Sequence, residues 1–257
     1  MLPRNALVAL VLGVPLLAAS AARAEESAKE IARKARDRGA LNLRDLTAEL
    51  KLSTTRNGVT KEQVLRTTAR EINGRAHSLA KFLQPAGVAG VTVLTIEGGE
   101  GEPDDISIYL PKLKRVRKVA RSQRGQSFMD TDFQYADLGG TSAEDEDLKR
   151  LLDTKVQGRD VYVLKGHGDE ASPYGDVVMY VDKETFVPLQ VDYEDKDGKP
   201  FKKYQTLKLK KFKDRVLAAE SVMENLQSGS KTRMEILKIE EQTLGEEAFT
   251  ERGLERG

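Results

Sequence analysis

Cysteine is absent from all 257 residues. The chain therefore holds no disulfide, no thiolate nucleophile and no cysteine metal site, and with no cysteine to acylate it is not itself a lipoprotein. The absence is neutral about an oxidising compartment. Histidine is almost as scarce. His77 and His167 are the two present and stand 90 residues apart, whereas a zinc site needs His or Cys at short, fixed spacing. Both are read as exposed or satisfied side chains. The Gly-X-Ser-X-Gly elbow, the Gly-X-Gly-X-X-Gly fingerprint and the phosphate loop are missing too. Gly98-Gly99-Glu100-Gly101 is rich in glycine but acidic, the wrong sign for cradling phosphate. Asp104-Asp105 and Glu144-Asp145-Glu146-Asp147 lack the alternating ligand spacing of a calcium loop and are read as solvated acid. No catalytic residue, metal or cofactor is expected, and the chain is not expected to be an enzyme.

Charge of one sign is lacking as well. The chain has 42 basic and 41 acidic residues, a balance that excludes a general polyanion binder such as a nucleic-acid protein. The first residues have the pattern of an export leader. Arg4 supplies a positive start, Ala6 to Ala19 is apolar, and Ala22-Arg23-Ala24 offers small residues at −3 and −1. Pro15 interrupts the apolar stretch, which speaks against an uncleaved anchor. A signal peptide over 1–24, cleaved before Glu25, places the remainder in the periplasm. Its loss removes Arg4 and Arg23, so 40 basic residues face 41 acidic ones. Beyond it no apolar run is long enough for a transmembrane helix.

Residues 25–257 are expected to form one domain. Ala28, Ile31, Ala32 and Ala35 recur at helical spacing and predict an amphipathic helix over 25–38. The period then becomes two. Leu46, Ala48, Leu50 and Leu52 alternate with polar residues, and Asn57-Gly58 marks a hairpin turn. A return strand over 63–72, the turn Asn73-Gly74, and strands over 77–83, 88–97 and 106–110 follow. Short turns allow only antiparallel neighbours. Ser127 to Leu138 reads as loop or short helix, and Ser142 to Leu152 as a helix with a capping serine and an acidic first turn. Strands return over 160–166, 176–181, 188–193, 201–213, 215–226 and 231–240, with turns at Asp182-Lys183, Asp197-Gly198 and Ser228-Gly229. The fold class is mainly β. An open, incomplete antiparallel barrel of about ten to eleven strands over 42–240, two or three helices and a tail over 241–257 is expected.

Two segments are unusual. Lys112, Lys114, Arg115, Arg117, Lys118, Arg121 and Arg124 crowd into 13 residues, interleaved with Leu113, Val116 and Val119. Single-stranded nucleic acid would need aromatic stacking partners, and the segment has none. Docking on anionic lipid or an acidic partner and an edge strand guarded against aggregation both fit it. Directly after it, Phe128, Met129, Phe133 and Tyr135 form an apolar group inside a polar stretch. They read either as a plug over the core or as a lid over a ligand hollow.

These stretches resemble a known family. Ile108-Tyr109-Leu110-Pro111-Lys112-Leu113-Lys114-Arg115-Val116-Arg117 and Phe128-Met129-Asp130-Thr131-Asp132-Phe133-Gln134-Tyr135-Ala136-Asp137-Leu138 are similar to segments of the outer-membrane lipoprotein-sorting family, relatives of the LolA and LolB carriers. Tyr180 to Thr185, Pro188-Leu189, Met223 to Leu226 and Phe249 to Arg252 agree, so the likeness covers nearly all of 40–255. It implies a half-open barrel wrapped over helices, with an apolar interior that shields acyl chains. The implied role is a periplasmic carrier or chaperone for lipid or lipoprotein. It acts as a monomer, beside an inner-membrane exporter of the resistance–nodulation–division type and an outer-membrane acceptor. A structural adaptor docking on an envelope machine through the basic stretch is the alternative. Leu50, Leu79, Val93, Ile108, Phe128, Phe133, Val178, Leu189 and Met223 are the candidates to line the hollow. The seven cations of residues 112–124 are the candidates for partner or membrane docking.

Overall fold

The computed structural model describes residues 26–36, 38, 43–99, 102–138, 148–168 and 172–256. The expected leader and its cleavage site, the Ser142 cap and the acidic run 144–147 lie outside the described residues. Among the described residues a short helix, α1 (Ala28–Arg36), precedes thirteen strands, with a final helix, α2 (Glu251–Arg256), after them. The strands are β1 (Leu46–Arg56), β2 (Val59–Ile72), β3 (Arg75–Gln84), β4 (Thr92–Ile96), β5 (Asp105–Leu110), β6 (Arg115–Lys118), β7 (Lys149–Val156), β8 (Arg159–His167), β9 (Asp176–Asp182), β10 (Pro188–Glu194), β11 (Pro200–Phe212), β12 (Arg215–Asn225) and β13 (Lys231–Glu241). All belong to one antiparallel sheet with the order β6-β5-β4-β3-β2-β1-β13-β12-β11-β10-β9-β8-β7.

That order follows from the turns. β1, β2 and β3 are joined by Asn57-Gly58 and Asn73-Gly74, all four at positive φ, as tight hairpin turns require. The chain walks by hairpins from β1 out to β6, crosses to β7, and walks back until β13 pairs with β1. β6 and β7 are the two free edges, so the sheet is open. The crossing from edge to edge begins with residues 119–138, which is where the aromatic segment lies.

Thirteen strands correct the expected ten to eleven, and both additions are edges. β6 is Arg-Val-Arg-Lys, which has no apolar alternation because it pairs with β5 alone. β7 replaces the carboxyl end of the helix expected over 142–152. Its mostly exposed, polar face lacks a period-two signal, and a bulge between Leu151 and Thr154 breaks the alternation further. The tail also has structure. A 3-10 turn at Glu246–Phe249 and α2 pack Phe249 and Leu254 against Leu79 and Leu94 on the sheet's outer face.

Curvature is visible in what meets on the inner face. One buried cluster draws Leu50, Leu65, Phe82, Val93, Ile108, Leu164, Met179, Val191, Tyr204, Met223 and Met234 together, and every strand but β6 and β7 contributes to it. A sheet whose distant strands share one cluster has curled around it, as twisted sheets of this width do.

The β9–β10 turn is held by a buried carboxylate. Asp182 accepts Arg159 Nε at 2.8 Å and Nη2 at 2.9 Å, and Thr185 N at 3.0 Å. Burial pushes its carboxyl up, but these donors outweigh it and hold it below the usual value. The stability it contributes is present above the unfolded carboxyl value of about 3.9 and is lost as pH falls through the lower folded value. Asp182→Asn should cost about 1.5–3 kcal/mol at pH 7. Urea unfolding of both proteins should show the gap narrowing by pH 3, and a gap constant with pH would refute the assignment.

Candidate functional site

Two elements cover the inner face. α1 lays Ile31, Ala32 and Ala35 into the cluster, the apolar positions its helical period supplies. Its ends are fixed by polar contacts. Arg36 pairs with Glu97 just past β4, the Arg150 guanidinium of β7 donates to the Glu26 carbonyl at 3.1 Å, and Lys34 Nζ sits 4.5 Å from the Phe186 ring centroid. The helix thus reaches from the β7–β9 side of the sheet to the β4 side.

The second cover is the crossing segment. Phe128 is fully buried, 5.5 Å from the Phe82 ring and 5.9 Å from Tyr135. Phe133 is buried beside them. Three carboxylates pin the same segment. Asp130 accepts Lys61 Nζ at 2.7 Å, and that bond, aided by Arg56, holds its carboxyl low against the opposing effect of burial. Asp132 is bound by the Ser230 hydroxyl and, at 2.7 Å, by Thr232 Oγ1. Asp137 accepts Lys202 Nζ at 2.8 Å and Tyr174 Oη at 2.6 Å. Met129 and Asp130 both adopt positive φ, a conformation that persists in non-glycine residues only where the surroundings enforce it.

Lys202 is the centre of this latch. It is 1% exposed, donates also to the Asp132 carbonyl at 3.2 Å, and lies 5.0 Å from the Tyr174 ring, 5.5 Å from Tyr193 and 5.8 Å from Phe201. An ion pair inside an aromatic cage is both strong and exacting. Burial, with the Asp137 charge next, pushes the Tyr174 and Tyr193 phenols well above their ordinary value, so they stay neutral here.

The structure brings Leu50, Val93, Ile108, Phe128, Phe133 and Met223 together on the inner face. Leu79 lies in the outer cluster under Phe249 and Leu254. Val178 and Leu189 belong to a third cluster with Val161 and Val163. Sequence reasoning did not single out Lys202, Asp132, Asp137, Tyr174 or Thr232. The signal that existed was phase, since Lys202 shares its strand face with Tyr204 and Thr206. Of the histidines, His167 Nδ1 lies 2.7 Å from Asp176 and His77 Nδ1 3.1 Å from the Arg75 carbonyl.

The basic stretch is divided by its register. Arg117 pairs across from Ile108 and Arg115 from Leu110, which face the inner cluster. Val116 lies opposite Tyr109 on the outer face, where Lys118 reaches Glu251 at 3.5 Å. Arg124 donates to the Asp104 carbonyl. Among the described residues Lys112, Lys114, Arg115 and Arg117 make no ion pair.

One wide, open antiparallel sheet curled over an apolar face, with that face capped by a helix and a latched loop, defines the structural class. The chain belongs to the outer membrane lipoprotein-sorting family, LolA-like in fold. A family model described as an uncharacterized protein matches residues 74–256. The chain is similar to a solved outer membrane lipoprotein-sorting protein domain from Vibrio parahaemolyticus, with 28% identity, TM-score 0.79, and coverage of 89% of this chain and 98% of that one. A DUF1329 family protein from Desulfovibrio piger gives 23% identity, TM-score 0.78, and coverage of 88% and 97%. The LolA superfamily protein NE2245 from Nitrosomonas europaea gives 17%, 0.67, and 88% and 98%. The last two likenesses concern the fold alone. No curated protein matches the chain.

Proposed function

We propose that the protein is a periplasmic carrier or chaperone that shelters the acyl chains of lipid or lipoprotein during envelope transport. The observation that carries this reading is the capped inner face. An apolar surface shared by eleven strands is closed by α1 and the 120–138 loop, both fastened by polar contacts rather than by sheet pairing. Such covers can leave and return without breaking the sheet. The energetics suit the task, since each methylene kept from water is worth about 0.8 kcal/mol, or roughly 12 kcal/mol for a sixteen-carbon chain. The leader expected over 1–24 and the family support a periplasmic setting; an inner-membrane exporter and an outer-membrane acceptor complete the proposal.

The adaptor reading is favoured by one feature, the turn Lys112-Leu113-Lys114 between β5 and β6, where Leu113 is 57% exposed between two cations. A titration with a fluorescent fatty acyl probe separates the two. The carrier should bind about one to a few probes per chain, and a charge at inward Val93 should weaken binding in a protein that still folds by circular dichroism. Native mass spectrometry of protein taken from its own periplasm should find lipid. A folded protein that takes up neither acyl probe nor lipoprotein would leave the adaptor.

A further inference from the structure

The two arginines that β6 turns inward ask for a ligand. Directly opposed residues of antiparallel strands project to the same face, so Arg115 and Arg117 share theirs with Leu110 and Ile108. Burial raises the Tyr135 phenol, and the positive charge of Arg117 works against it, so that guanidinium lies within electrostatic reach of the aromatic plug. Both arginines are exposed, and neither has an ion-pair partner among the described residues. Along this edge the apolar face therefore ends in two guanidiniums on the same side, separated by Val116 and without an ion-pair partner among the described residues. Guanidinium forks fit phosphate oxygens in bidentate pairs.

Resting on the carrier reading above, we propose that Arg115 and Arg117 form a headgroup site for an acyl amphiphile with an anionic, phosphate-type head, its chain on the inner face and its head at the β6 rim. An inward-pointing charge can also serve to keep an edge strand from pairing. The two roles differ in what they read: edge protection is indifferent to the ligand, whereas a headgroup site distinguishes ligands that share a tail.

The test compares dodecyl phosphate, dodecyl maltoside and inorganic phosphate, each below micelle-forming concentration, by calorimetry on the full chain. Wild type should bind dodecyl phosphate about tenfold or more tightly than dodecyl maltoside. In the double variant Arg115→Gln/Arg117→Gln that preference should vanish while dodecyl maltoside affinity stays the same. Lys118→Gln, on the outer face of the same strand, should keep the preference. The proposal is overturned if the double variant retains the preference, if Lys118→Gln loses it equally, or if inorganic phosphate alone binds as tightly as dodecyl phosphate. Equal binding of both amphiphiles by wild type overturns the headgroup site and leaves the carrier standing. Binding of neither overturns both.

Discussion

Lys202→Met is expected to lower the unfolding free energy by about 3–5 kcal/mol, although it keeps the length and volume of the side chain. The loss comes from Asp137, which is left buried without its cation, and from the Asp132 carbonyl, which loses a donor. Asp137→Leu should cost a similar amount, because it strands the Lys202 ammonium among three aromatic rings. The pair Lys202→Met/Asp137→Leu should recover much of the stability, since two apolar groups in place of a buried ion pair are often neutral. Recovery should be incomplete, because Asp137 also accepts the Tyr174 hydroxyl and the Gln134 amide. Urea unfolding of the four proteins closes the cycle. Additive single losses would mean that the two residues act separately and that there is no latch. Hydrogen exchange adds a local readout, in which amides of 126–138 should open in Lys202→Met ahead of the sheet.

Much of this fold was legible from β1 onward. Leu46, Ala48, Leu50 and Leu52 alternate in the sequence and are buried in the structure, and each Asn-Gly pair sits in the turn that its φ angles demand. What could not be read has physical causes. β6 and β7 pair on one side only, so neither carries the buried alternation that marks an inner strand. Leu79 looked equivalent to its inward neighbours because β3 is apolar on both faces, one turned to the inner cluster and one to α2. Leu189 sits in the bulge between Pro188 and Gln190, where counting by twos fails. The aromatic segment was visible as an apolar group in polar surroundings, but its pins were not. Asp132 meets Thr232 across 100 residues of sequence, and no local pattern announces such a pair.

Phe128→Ala should separate a plug from a fixed piece of core. Phe128 is fully buried against Phe82 and Tyr135, so truncation should cost about 3–5 kcal/mol of stability. In an ordinary core position the cost has no functional counterpart. If the 120–138 loop must leave before an acyl chain can enter, the intact protein binds through a minor open state, and apparent affinity is the intrinsic affinity reduced by the open fraction. Weakening the closed state raises that fraction. The same substitution that destabilises the protein should then tighten acyl-probe binding, by about tenfold or more. Leu79→Ala is the control: its side chain is buried under Phe249 and Leu254 on the outer face, so it should cost about 2–5 kcal/mol and leave probe affinity unchanged. Probe titration and urea unfolding on the three proteins make the comparison. Weaker or unchanged binding by a folded Phe128→Ala would mean that the loop is part of the binding wall and not its cover. Tighter binding by Leu79→Ala as well would point to general loosening, because that side chain touches neither the loop nor the face beneath it.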